Sequence, residues 1–172
     1  RTNTGKIIMI NSVLLSIVVY VYGIAGILYI FSYVFKKESS VRIAIWVSIF
    51  GFTVNTIGIM IRWIESYKLG IGHAPIYFQY EYLILFSWAA VLIFFLVESK
   101  YKSRLMGAFI MPTSQHAMAC SSFSQNISHH IQPLIPSLKS NWLFAHVATC
   151  LIAYPIVSVT DSLDSLSSAI LL

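Results

Sequence analysis

His146 is the side chain in this sequence whose position most favours chemistry. It lies one helical turn inside an apolar segment that begins near Trp142, and residues four apart share one face of a helix. An ionisable side chain inside a membrane-spanning segment is by default a functional candidate, because hydrocarbon destabilises it unless it faces a ligand, a cavity or a partner. A neutral imidazole hydrogen-bonded between helices is the alternative. The residues alone leave both interpretations open.

The other four histidines point less clearly to chemistry. His129 and His130 are adjacent, and since neighbouring residues point in different directions, we expect a poor chelate rather than a metal site. His116 follows Pro112 in the middle of an apolar run and is interpreted as a polar group in helix packing. His73 lies among glycines and is interpreted as part of a loop.

An aromatic cluster with one carboxylate, Tyr77 to Tyr82, precedes the third apolar run. Such clusters usually form a belt at the lipid headgroups, but Glu81 beside Tyr80 can also organise a shelf for a flat apolar ligand. Across the same loop, Arg62 and Trp63 are interpreted as a snorkelling anchor with an interface tryptophan. The sequence has no Gly-rich phosphate loop, acid–base pair or nucleophile elbow, so we expect no self-contained enzyme active site.

Composition identifies the elements that must position these residues. Of 172 residues, 58% are hydrophobic and 10% charged, and the mean hydropathy is +0.78, which excludes an ordinary soluble domain. The formal charge of +5 does not indicate nucleic-acid binding, because the basic residues lie in short interruptions between apolar runs. Cys120 and Cys150 form no C-x-x-C motif and are interpreted as small buried hydrophobes.

The apolar runs predict an all-α fold, a polytopic membrane bundle of about five transmembrane helices that forms a single domain over residues 1–172. Each run approaches the roughly 20 residues needed to cross a bilayer. Asn55 with Gly51 and Gly58 gives the second run a small, polar face suited to packing on another helix. The predicted spans are 7–35, 43–61, 81–97, 105–123 and 141–159.

Basic residues in the short loops predict the orientation. The turns at 36–42 and 100–104 each hold three Lys or Arg residues, whereas the loops on the other side hold fewer. Because basic loops stay on the cytoplasmic side, we expect the N-terminus and the segments near 63–80 and 124–140 to face outward.

Several short motifs follow one another from Arg62 onward. The most specific lies just before and around His146. In chain order the motifs are Arg62-Trp63, Gly72-His73-Ala74-Pro75, Tyr80-Glu81-Tyr82-Leu83, Phe86-Ser87-Trp88, Met106-Gly107-Ala108-Phe109 with Pro112, Ile131-Gln132-Pro133-Leu134-Ile135-Pro136, and Leu138-Lys139-Ser140-Asn141-Trp142-Leu143 followed by His146-Val147 and Tyr154.

In order and spacing, this series resembles the first half of the cytochrome c assembly proteins of the CcsA or ResC type. The resemblance implies a haem-handling subunit of the type II cytochrome c maturation system, at most one part of a cytochrome c synthetase. Such a subunit presents haem b at the outer membrane face for attachment to apocytochrome c. His146 would then be an axial ligand of the haem iron, with Trp142, Tyr80 and Glu81 at the haem site. The resemblance also implies a ResB-type partner subunit, and it favours a bacterial plasma membrane over a thylakoid membrane.

The chain also departs from the pattern of that family. The tryptophan-rich outer segment and two later histidines are absent, and Phe78-Gln79 stands where an Asn-Met pair is usual. We therefore interpret the chain as partial relative to the family. Two alternatives remain: a small transporter or channel subunit whose polar groups Asn55, Gln115 and His116 line a path at mid-membrane, and an inactive structural fragment.

Overall fold

Five helices make up the part of the chain that the computed structural model describes, which comprises residues 2–36, 38–68, 78–101, 104–123 and 141–170. They are α1 (Thr2–Phe35), α2 (Glu38–Lys68), α3 (Gln79–Tyr101), α4 (Arg104–Phe123) and α5 (Asn141–Ile170). The predicted all-α membrane bundle is confirmed. Within these described residues, three stretches are long and apolar enough to cross a membrane, Val13–Phe35, Glu38–Lys68 and Gln79–Lys100, while α5 contains a shorter apolar stretch, Ala145–Asp161. Crossing by α4 and α5, and the orientation, stay predictions.

Two helices extend well beyond the predicted spans. α2 continues seven residues past the predicted end at 61, and α5 continues through Pro155 to Ile170. Hydropathy marks only the part of a helix in hydrocarbon, whereas the helix itself continues while its backbone hydrogen bonds can form. As a result Arg62 and Glu65 are helical residues rather than loop residues.

α1 lies between α2 and α4, and α3 packs on α4, α5 and α2. At the α1–α2 contact the predicted small face of α2 is confirmed, since Gly51, Asn55 and Gly58 are all buried. A Cβ atom at Gly51 would lie 2.7 Å from Cε1 of Tyr22, so this contact requires a residue without a side chain.

Polar contacts connect α3 to its neighbours along its length. In the N-terminal half of α3, the indole Nε1 of Trp88 donates a hydrogen bond to Oγ1 of Thr56 at 2.9 Å. At the other end, the hydroxyl of Tyr29 donates to Oε2 of Glu98 at 3.3 Å. Because α3 is apolar on all sides, its apolar residues do not determine how the helix is rotated about its axis. These two hydrogen bonds do.

Gly107→Ala is expected to destabilise the bundle by about 1–3 kcal/mol. The added Cβ would lie 2.5 Å from Cδ1 of Tyr29, a fully buried ring that also packs edge-on against Phe94 and cannot move aside freely. The measurement is the thermal unfolding midpoint of the purified protein in detergent.

Gly23→Ala is the matched control. Its Cβ would meet the flexible amide end of Gln115, which can shift, while the gain in helix propensity is the same. Equal midpoints for the two variants would contradict the packing argument.

Candidate functional site

A buried ion pair joins the C-terminal end of α2 to the N-terminal end of α3. Nε of Arg62 donates a hydrogen bond to Oε1 of Glu81 at 3.2 Å, and the two side chains are only 6% and 0% exposed. Glu81 Oε2 is also buried and accepts no hydrogen bond within the described part of the chain. A pair enclosed in this way depends on both partners, because removing one leaves the other charge buried without compensation.

Tyr80 completes this cluster. Its buried ring lies under the guanidinium, with Cζ of Arg62 4.6 Å from the ring centroid, which is a cation–π contact. The cavity beside the pair measures about 10 Å³ and is walled by Leu15, Gly58 and other apolar residues. It can hold at most a water molecule. Tyr80 and Glu81 therefore lie inside the bundle rather than on an open shelf.

The interpretation of Arg62 as a snorkelling anchor is wrong. A snorkelling side chain extends its charged group to water, whereas Arg62 is buried and paired with Glu81, nineteen residues away. The sequence shows opposite charges at the outer ends of consecutive spans, and that pattern would have predicted the pair.

Glu65, one turn after Arg62, was not singled out in the sequence. Its side chain is buried, and its electrostatic neighbours are Arg62 and Lys68. Neither of its carboxylate oxygens accepts a hydrogen bond within the described residues. The C-terminal end of α2 thus carries a carboxylate that is enclosed in the same way as that of Glu81.

His146 and Trp142 lie on the surface of α5. His146 is exposed, and Trp142 is 83% exposed one turn earlier. Sγ of Cys150, one turn later, is 3.8 Å from Nε2 of His146. Indole, imidazole and thiol therefore follow one another along a single helix face, and the imidazole is open to a ligand that approaches α5 from the side.

The position of Tyr82 shows how the Arg62–Glu81 pair and His146 are arranged relative to each other. Tyr82 lines one cavity together with Tyr154, and α3 packs on α5, so the start of α3 lies beside α5 at that level. His146 is one turn beyond Cys150, about 5 Å farther along α5. Because adjacent helical residues point in different directions, Glu81 faces α2 while Tyr82 faces α5. The structure brings Tyr80 and Glu81 together with Arg62, and places His146 and Trp142 at another surface.

The three polar residues of the proposed mid-membrane path face different interfaces. Asn55 is fully buried between Gly51 and Gly58 at the α1–α2 contact, and the amide of Gln115 lies against Gly23 of α1. His116 is exposed and lines a cavity among α3, α4 and α5. These placements do not support a single continuous path.

The described residues contain no group of three or more His, Cys, Asp or Glu side chains that could hold a metal ion. His73, His129 and His130 lie outside the described residues, as do the motifs at 72–75 and 131–136.

Curated proteins that are similar in sequence to this chain agree with the interpretation of the motif series. The chain is 35% identical to the cytochrome c biogenesis protein CcsA of Porphyra purpurea over 106 residues, which are 61% of this chain and 32% of that protein. The resemblance to CcsA-type proteins is confirmed. The CcsA protein of Pyropia yezoensis is 29% identical over 126 residues, 73% of this chain and 38% of the relative. That of Trichormus variabilis is 32% identical over 99 residues, 57% and 27%.

The chain spans about a third of the length of the curated relatives it matches. No family model matches it, and no solved structure does. The similarity therefore describes part of a CcsA-type sequence.

Proposed function

We propose that this chain handles haem and presents it at the outer membrane face for attachment to apocytochrome c. The observation that carries the proposal is the exposed imidazole of His146 on α5 in a chain similar to CcsA-type cytochrome c biogenesis proteins. Imidazole is a common axial ligand of haem iron, and this imidazole can be reached without unfolding the bundle.

The residues around His146 fit a haem group. Trp142 offers a large exposed aromatic surface one turn away, against which a flat macrocycle can pack. When bound, haem b supplies the iron that the imidazole ligates and the vinyl groups that react with thiols of apocytochrome c. The chain's own contribution is to bind the macrocycle, orient it and exclude water from one of its faces.

Tyr80 and Glu81 are proposed to serve the same site from inside the bundle. With Arg62 they hold the outer ends of α2 and α3 together, and α3 in turn packs on α5 at Tyr82. Their enclosure supports a positioning role, in which they keep α5 and His146 at a fixed place relative to the rest of the bundle.

The remaining components of the proposal come from the resemblance. A ResB-type subunit and apocytochrome c are the proposed partners, and a bacterial plasma membrane, with the site on its outer side, is the proposed location. No nucleic acid takes part. The chain would then act as one subunit of a cytochrome c synthetase, since the thiols that accept haem belong to the substrate.

The test is a visible absorption spectrum of the purified, detergent-solubilised protein after reduction. A Soret band and an α band that co-purify with the protein, or appear when haem b is added, are expected. A protein that carries no haem and cannot be loaded with it, even with its ResB-type partner present, would contradict the proposal.

Cys150→Ala is expected to leave the haem spectrum unchanged. Sγ lies 3.8 Å from Nε2 of His146, and a thiol is a weak donor and a weak acceptor, so its removal should change the iron ligation little. The measurement is the position of the Soret band in the oxidised, reduced and CO-bound protein. A band that shifts or disappears in this variant would instead identify Cys150 as an iron ligand.

A further inference from the structure

A second, larger cavity lies among α3, α4 and α5. Its volume is about 870 Å³, within the range of small-molecule sites. α3 contributes Tyr82 and Phe86, α4 contributes His116 and Cys120, and α5 contributes Tyr154 and its neighbours. Tyr154 lies about two turns of α5 from His146.

This cavity opens at the side of the bundle rather than at its end. Tyr154 and Val157, on its α5 wall, are 56% and 53% exposed, and both lie in the apolar stretch of that helix. The side of a membrane bundle faces lipid or another membrane helix. A ligand that enters here from the lipid is soluble in the bilayer.

The polar groups of the cavity can donate hydrogen bonds as well as accept them. Thr113 and Ser158 already donate their hydroxyl hydrogens to the carbonyls of Phe109 and Tyr154 in their own helices. The imidazole of His116 and the phenols of Tyr82 and Tyr154 line the cavity as well, and each can donate a hydrogen bond to a ligand. A ligand with carbonyl oxygens can satisfy them, whereas a saturated hydrocarbon chain cannot.

The walls favour a flat ring. Phe86, Tyr82 and Tyr154 present aromatic surface around His116, and aromatic side chains pack well on planar rings. Lipid solubility, carbonyl acceptors and a planar ring together describe a quinone headgroup with an apolar tail. We propose that this cavity, here named the α3–α5 cavity, binds a quinone, with His116 donating a hydrogen bond to one of its carbonyl oxygens.

The test is photolabelling of the purified full chain in lipid nanodiscs with an azido derivative of decylubiquinone. Labelled peptides are mapped by mass spectrometry, and labelling is competed with unmodified decylubiquinone. Saturable, competed labelling of the α3–α5 cavity is expected. His116→Phe keeps a ring but removes the donor. In this variant the decylubiquinone concentration that halves the labelling should rise about fivefold, the scale of one lost net hydrogen bond.

A pair of α5 variants tests the site without touching His116. Val157→Trp adds bulk to the cavity wall and should abolish competed labelling, while Ile152→Trp makes the same change at an exposed position outside that wall and should not. Helical content by circular dichroism shows which variants fold. If His116→Phe fails to fold, the two α5 variants still test whether the labelled site is the α3–α5 cavity.

Three results would overturn the proposal. Labelling that rises linearly with the probe and is not competed indicates partition into lipid only. Equal labelling by a phosphatidylcholine with the azido group in its tail indicates an ordinary lipid contact. Equal competition in wild type and Val157→Trp indicates a different site. Haem content of the same preparations is expected to be unaffected, which keeps this result separate from that of the haem proposal.

Discussion

His146→Ala is expected to lose co-purifying haem, with at least about a tenfold fall in haem per protein. Replacing even a residue that only supports a metal ligand commonly weakens metal binding by about 10-fold to 100-fold, and His146 is the proposed ligand itself. The measurement is the Soret absorbance of the reduced protein, normalised to protein concentration. Added free imidazole should restore the band, because it can occupy the space left by the side chain and ligate the iron in its place.

His116→Ala is the matched control for this experiment. It also removes one exposed imidazole. That imidazole belongs to α4 and lines the α3–α5 cavity, whereas His146 lies on the surface of α5. The haem proposal expects normal haem content in this variant. The opposite pattern, in which His116→Ala loses haem and His146→Ala retains it, would contradict the assignment of His146 and favour a functional group at mid-membrane.

The number and order of the helices could be predicted from the sequence because hydropathy reports burial in hydrocarbon directly. Their ends could not, since α2 and α5 continue past the apolar runs that define the predicted spans. This difference bears on function. Arg62 was treated as a residue at a helix end near water, and as part of a longer helix it instead reaches Glu81.

The neighbours of each helix were harder to predict than the helices. A helix that is apolar on all sides, such as α3, does not show in its sequence which face meets which partner. The sequence therefore placed Glu81 and His146 at one site from the resemblance, whereas the structure turns Glu81 toward α2 and leaves His146 exposed on α5. The contact at Gly51, Asn55 and Gly58 was predictable because small residues at helical spacing mark a packing face.

Arg62→Leu is expected to destabilise the protein by about 3–5 kcal/mol, because it leaves the Glu81 carboxylate buried without its counter-charge. Glu81→Gln should destabilise it less, because the neutral amide can still accept from Arg62 and the contact between Arg62 and Tyr80 remains. The double variant Arg62→Leu and Glu81→Leu should recover part of the loss, since no buried charge of the pair remains while Glu65 still lacks Arg62 as a neighbour. Thermal unfolding of the purified protein in detergent measures all three.

Arg42→Leu, an exposed arginine near the start of the same helix, is the control and should change stability by less than about 1 kcal/mol. If the double variant instead loses the sum of the losses measured for Arg62→Leu alone and Glu81→Leu alone, the residues do not act as a pair. Coupling between them is the specific expectation, because each alone is costly only while the other remains charged and enclosed.

The same double variant separates positioning from contact with haem. If Arg62 and Glu81 act by holding α2 and α3 together, restoring stability with two leucines should also restore haem content, because Tyr82 again packs on α5 below His146. If stability returns but haem content does not, the charged groups themselves act on haem or on a partner, and the positioning role is wrong. Haem content and unfolding midpoint, measured on the same four proteins, therefore decide what the buried pair contributes.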